Sequence, residues 1–367
     1  MIAYRKNPYI GSALLPVDIV FHPSWWHKRA GITFDEDFFY HPGKRVEAER
    51  RMEYELYERF GEYGLGQDRD RDLPVIGAVH NAAGYLLSEM LGCRVLYKED
   101  AAPQVIPAGR DKLDVVAGDA FQSPAFKRFQ HLQDKLKTKY GYLTGDINWG
   151  GILNIALDLA GENVFLGFFS EPRETKRQFS EIARVIETFT TGIARETGTT
   201  SVSVNRNVRH IKQPVLLHSE CSHTMISADH YEDFLLPFDL AWSGRFRPYG
   251  IHYCGKDPHR MAEVFAKIEN LDFLDVGWGG DVKKLREFLP RTFLDLRLDP
   301  VTLPGWTHEE LAGTITRLVE DSGQPYLTGV CCINLDDRVD DARIVTMLKT
   351  VEGLRKRFMG DAQPENG

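Results

Sequence analysis

The nine residues GIHYCGKDP, 250–258, set a histidine and a cysteine one residue apart, His252 and Cys254, just ahead of a helix start. The run reads as a strand, and in a strand residues i and i+2 point to one side. An imidazole and a thiolate presented together are a ligand pair that suits zinc. A catalytic zinc needs a third protein ligand and an open fourth position. Cys331 and Cys332 end a later strand-like run, PYLTGVCC, with 76 residues between Cys254 and Cys331. Successive strand residues face opposite sides, so only one of the two points inward easily. The plainer alternative is a buried thiol and a hydrogen-bonded histidine with no metal, because free cysteine is among the most buried residue types. Glu220 and Cys221 end the run PVLLHSE and its continuation, between His218 and His223. Both are expected to face the same mouth, with Glu220 as an acid/base group or a fourth ligand. The two histidines read better as solvent or loop contacts.

Such residues need a scaffold that gathers strand ends. The second half of the chain alternates strand and helix signals. NVFLGFFS (163–170) is a short apolar run, followed by helical periodicity over 175–197 with Phe179, Ile182, Val185 and Ile186 on one face. PVLLHSE, YGIHYCG, DFLDVGWG, RTFLDLRL and PYLTGVCC read as strands, each followed by a helical stretch. The stretch after PVLLHSE is bent or broken at Pro237. Asp257 and Pro258 are expected to open a helix as N-cap and first residue, and Thr307–Glu310 forms a capping box. Repeated βα units over this length predict a single (β/α)8 TIM barrel, an α/β fold with its chemistry at the carboxyl ends of the strands. Residues 1–70, rich in aromatics and charge, read as an N-terminal extension of helices and loops, 71–360 as the barrel, and 361–367 as a frayed tail.

Composition narrows the classes of function. The 367 residues carry a formal charge of −8, with acidic and basic residues mixed. The absence of a basic stripe argues against nucleic acid as a partner. No run reaches the roughly 18 apolar residues of a membrane span. MIAYRKNPYIGSALLP lacks the apolar core of a signal peptide, so a cytoplasmic location is expected. Five cysteines, an odd count in a chain of this size, point to packing, metal or catalysis instead of a disulfide framework.

Five segments in order resemble the uroporphyrinogen decarboxylase superfamily over nearly the whole chain. PSWWHKRAG (23–31) resembles its P-x-W-x-x-R-Q-A-G segment, and LGCRVLYKEDAAP the stretch closing its first barrel units. SADHYEDFLLPF resembles its S/G-P-x-x-F-x-x-F-x-L-P-Y helix, HYCGKDP its H-x-C-G motif, and LRLDP its G-N-L-D-P turn. The superfamily contains porphyrinogen decarboxylases and zinc enzymes that move methyl groups to or from a corrinoid. A decarboxylase needs arginines to grip a polyanion. Here the R-Q-A-G-R positions read Lys28, Arg29, Ala30, Gly31 and Ile32. The pyrrole-holding aspartate has no counterpart in GAVHNAAGYLL, GDINWGGILN lacks the expected tyrosine, and GVCCIN replaces a G-H-G histidine.

The resemblance therefore implies a zinc-dependent methyltransferase with His252, Cys254 and Cys331 as ligands and Cys332 as the fallback. It further implies Glu220, His252 and Cys254 as catalytic groups, with Trp25, Trp26, His80, Asn148, Cys221 and His223 at the substrate. Cobalamin, the corrinoid, would ride on a separate corrinoid protein, since no D-x-H-x-x-G segment is present. The aromatic cluster Trp25, Trp26, Phe34, Phe38, Phe39 and Tyr40 favours a methoxylated aromatic donor, and thus O-demethylation. Methylcobamide:thiol transfer and a divergent decarboxylase-like lyase are the alternatives, and a homodimer is compatible with all three. The expected outcome of incubating metal-free protein with uroporphyrinogen is no loss of acetate carboxyls by chromatography; turnover would overturn the choice of branch.

Overall fold

The computed structural model describes residues 4–10, 13–68, 72–76, 85–145, 150–198 and 215–361. Among these, ten strands run in chain order: β1 Val17–Phe21, β2 Val75–Ile76, β3 Arg94–Lys98, β4 Ala101–Ile106, β5 Thr144–Gly145, β6 Leu216–Glu220, β7 Tyr249–Tyr253, β8 Leu271–Val276, β9 Phe293–Arg297 and β10 Thr328–Leu335. Six form one parallel sheet in the order β1-β10-β9-β8-β7-β6. β2 and β5 form a separate parallel pair, and β3 and β4 an antiparallel hairpin. No ladder joins the six-stranded sheet to the β2–β5 pair among the described residues. The sheet is therefore a curled half-barrel, and the closed barrel expected from the βα repeats is not what the described ladders form.

β1, β6, β7, β8 and β9 are buried at every position. Burial on both faces is what a parallel sheet covered by helices requires, and it explains their nearly continuous apolar character. β1 lies within the stretch expected to be an extension, yet it pairs with β10 from Val17↔Val330 to Phe21↔Leu335. The fully apolar flanks of Asp18 in VDIVF make it a sheet strand. NVFLGFFS is a helix, Asn163–Ser170, packed between two others. An apolar run of that length does not distinguish strand from buried helix.

The remaining elements follow their local signals. Helix Pro172–Thr197 buries Phe179, Ile182, Val185 and Ile186. The segment holding Pro237 splits into Ala228–Phe234 and Leu236–Arg245, because Pro237 has no N–H to donate to the preceding turn and takes a place in the first turn of a new helix. Thr307 and Glu310 exchange both bonds of the capping box, at 3.1 and 2.7 Å. The turn after Asp257 departs from expectation: Pro258–Met261 is a 3-10 turn leading to a four-residue helix, Ala262–Phe265. Asp257 does not cap it, because its carboxylate accepts from the Tyr253 hydroxyl at 2.8 Å.

Register sorts the strand residues between two faces. Across β6 to β10 one face carries Ser219, His252, Asp275, Asp295 and Gly329 in successive pairs. Residues one step away, such as His218, Ile251 and Leu274, face the helices. Val20, Cys331 and Ile333 pack together apart from the main core, on the inner face. Cys332 belongs to the main core.

The helix after β1, Pro23–Ala30, carries Trp25 and Trp26. Trp25 is 0 % and Trp26 1 % exposed. Phe21 lies 4.3 Å from Trp25 and 5.5 Å from Trp26 by ring centroids, and Phe60 continues the stack at 6.2 Å. These rings are core that fastens the N-terminal helices to β1, and a substrate would reach them only by parting them. Among the described residues no single helix is long and apolar enough to cross a membrane. Trp25→Ala is expected to cost about 3–5 kcal/mol of folding stability, measured by chemical denaturation.

Candidate metal centre

Among the described residues, two groups of donor atoms occupy the inner face. Cys221, His252 and Cys254 offer ligand atoms all within 4.8 Å of one another, and so do Asp275, Asp295 and Cys331. β7 supplies His252, and the residue just past its end is Cys254. Cys221 holds the equivalent place just past β6, because Glu220 pairs with Tyr253 in the last register step. Close backbone approach fixes the loop after Cys254. A Cβ at Gly277, just past β8, would sit 2.0 Å from the Gly255 carbonyl oxygen, so only glycine fits there.

A shared buried carboxylate joins the two groups. Asp275 Oδ2 accepts the Nδ1 hydrogen of His252 at 2.6 Å, and Asp275 Oδ1 accepts from Arg297 Nη2 at 2.8 Å. Burial pushes Asp275 up, but Arg297 and His252 outweigh it and hold the carboxyl below its ordinary range. Burial likewise pulls His252 down, and Asp275 more than offsets this. Arg297 Nη1 donates to Cys254 Sγ at 3.6 Å. Hydrogen bonding from Cys221, then from His252, together with the charges of His252 and Arg297, holds Cys254 below the usual thiol range against the effect of burial, while hydrogen bonding to Cys254 raises Cys221. Asp295, beside Asp275, is pushed up to about 8 by burial and by that neighbouring charge.

The donor set fits a zinc ion. Two thiols and an imidazole are within closing distance, and Asp275 fixes the histidine tautomer so that Nε2 is free for a ligand bond. Cys331 points to the same inner face but meets Asp275 and the Asp295 carbonyl, at 4.0 and 3.8 Å. The geometry thus gathers Cys221, not Cys331, with His252 and Cys254. Cys332 points away, and burial pushes its thiol up to about 12.

Glu220 does not share that face, because it is one residue out of phase with Ser219 and Cys221. Its Oε2 accepts from the Leu153 amide at 2.7 Å, and its Oε1 from the Asn154 and Ser222 amides at 3.1 Å each. It therefore caps helix Ile152–Ala160, whose N-cap Gly151 has no side chain to do so. A Cβ at Gly151 would lie 2.3 Å from Glu220 Oε2. Burial pushes Glu220 up to about 7 against those three donors. His223 is buried with both ring nitrogens unpartnered among the described residues, stacked near Tyr253 in the helix layer. Burial takes it down to about 3, so its ring is neutral. His80 and Asn148 lie outside the described residues.

Sequence reasoning passed over Asp275, Asp295, Arg297 and Ser219. The available signal was a charged residue inside a strand apolar on both flanks, as in DFLDV and FLDLR. Ser219 pairs with His252, and its buried hydroxyl has no partner among the described residues.

The solved structures most similar in architecture include a methyltransferase from Methanosarcina mazei, at TM-score 0.63 and 12 % identity over 95 % of each chain. Another is a B12-independent methionine synthase from Shewanella sp. W3-18-1 in complex with selenomethionine, at TM-score 0.52 and 12 % identity, over 95 % of this chain and 100 % of that one. At that identity the likeness is one of fold. No family model and no curated protein matches the sequence.

Behind the inner face, Asp239 accepts from His218 Nδ1 at 2.7 Å and from the hydroxyls of Tyr231 and Tyr249. Burial pulls His218 down, yet Asp239 raises it above its ordinary value. A histidine raised in the folded state stabilises fully below its unfolded value, about 6.5, and loses that contribution as pH rises through the folded one. Asp239→Asn should cost about 3–5 kcal/mol at pH 6. The penalty should narrow, without vanishing, by pH 9, as read from urea denaturation at both.

Proposed function

We propose that the chain is a zinc-dependent methyltransferase that moves a methyl group between a small molecule and a corrinoid carried by a partner protein. The observation that carries the reading is the inward triad Cys221, His252 and Cys254 at adjacent strand ends, backed by Asp275. The fold likeness to a methyltransferase and to a methionine synthase supports it. We further infer that β2 and β5 complete a (β/α)8 barrel whose first strand is β1 and whose other strands lie within 71–360, with the other residues of 1–70 wrapped outside. A methoxylated aromatic is the donor the reading favours.

Bound at the triad, zinc supplies Lewis acidity that stabilises charge developing on the heteroatom that gives up or receives the methyl group. The chain's own residues do the rest. Asp275 orients His252 and fixes its tautomer. Arg297 holds a permanent positive charge beside Cys254, which offsets part of the negative charge of the sulfur ligands. Asp295 holds a proton at its buried carboxyl and takes the acid role expected of Glu220. Cys331, in the neighbouring donor group beside that carboxyl, is the alternative third ligand to Cys221.

The test mixes zinc-loaded protein, a methoxylated aromatic and cob(I)alamin, and follows the cobalt spectrum; a parallel run offers methylcobalamin and a thiol. Methyl transfer is expected in one direction. The reading fails if neither proceeds with the corrinoid protein supplied. Zinc stoichiometry should drop in Cys254→Ala and in whichever of Cys221→Ala and Cys331→Ala removes the third ligand. Asp275→Asn should weaken zinc binding about 10–100-fold, measured by competition with a chelating dye.

A further inference from the structure

Cys221 and Cys254 directly follow the last paired residues of two adjacent hydrogen-bonded strands. The ladder pairs Leu216 with Tyr249 and runs without a shift to Glu220 with Tyr253. Each cysteine is the next residue. Neighbouring strands lie about 4.7–4.9 Å apart, inside the roughly 4.4–6.8 Å that Cα atoms of a disulfide span. Their sulfurs lie within 4.8 Å, so side-chain rotation alone closes the gap. Reach separates these two from the rest: Cys221 and Cys254 are half-buried, whereas Cys93, Cys331 and Cys332 are buried.

We propose that Cys221 and Cys254 form a thiol-modification site, a cross-strand dithiol that low-molecular-weight disulfides oxidise to a Cys221–Cys254 bond. The step balances. The Cys254 sulfur attacks one sulfur of oxidised glutathione, forming a mixed disulfide and releasing one glutathione as thiolate. The Cys221 sulfur then attacks the Cys254 sulfur, closing the protein disulfide and releasing the second glutathione. Two protein thiols are oxidised and one glutathione disulfide is reduced to two thiols. Arg297, donating to Cys254 from 3.6 Å, favours Cys254 as the sulfur attacked and attacking first. Because the same sulfurs belong to the proposed zinc site, the bond would exclude the ion; that consequence alone rests on the metal reading, and the disulfide does not.

The experiment uses the full chain, stripped of metal with EDTA and incubated with oxidised glutathione. The free-thiol count after denaturation should fall from five to three, with no retained glutathione mass. A non-reduced peptide map should link Cys221 to Cys254. Cys221→Ser should stop at one glutathione on Cys254, and Cys331→Ser should lock like the parent chain. A glutathione retained on each of Cys221 and Cys254 without a link, a link involving Cys331 or Cys332, or an unchanged count of five would overturn the proposal. In a second arm zinc is added first. Slower locking supports a shared site; equal rates with and without bound zinc overturn the metal assignment while leaving the dithiol site standing.

Discussion

The Asp275 carboxylate, held between His252 and Arg297, is the interaction on which the inner face depends. A lone carboxylate in this position would be desolvated at a cost of several kcal/mol. Two charged hydrogen bonds, at 2.6 and 2.8 Å, offset that cost and fix the orientation of both partners. Removing Asp275 takes the carboxylate from both His252 and Arg297 at once. The face is thereby committed to a polar interior where a parallel sheet normally packs branched apolar side chains. Asp295 is the measure of that commitment: with Asp275 ionised next to it, its carboxyl stays protonated well above the ordinary range.

The helix side of the same strands carries a second polar assembly, and the two are separated by one residue of phase. His218, Glu220 and Asp239 secure helices Ile152–Ala160 and Leu236–Arg245 against β6 and β7. This assembly buries ionisable groups without offering them to the inner face. Its contribution is positional: Ser222 and Asn154, bonded at 2.9 and 2.5 Å, tie the turn after Cys221 to the capped helix. The sulfur of Cys221 is thus held from behind by the groups that, from residue type alone, look most catalytic.

Much was legible in the sequence because it depends on near neighbours. Strand and helix alternation, the helix break at Pro237, the capping box at Thr307 and the shared side of His252 and Cys254 all follow from periods of 2 or 3.6 and from local backbone chemistry. The inward choice between Cys331 and Cys332 required only knowing that one must face in, but which one needed the β1–β10–β9 register. NVFLGFFS was not legible, because both periods accommodate eight apolar residues and only packing against Pro172–Thr197 decides.

What the sequence determined by itself is the inventory: a parallel α/β architecture, and histidine and thiol side chains at strand ends. What tertiary structure alone decided is their grouping. Cys221 joins His252 and Cys254 because β6 and β7 pair without a shift, while Glu220, one residue earlier, is turned to the helix layer by the same pleat. Cys331 meets Asp275 and Asp295 because β10 pairs with β9, 36 residues away in sequence. Strand order and register are long-range choices. They are set by which faces bury together, and no stretch of sequence carries that by itself.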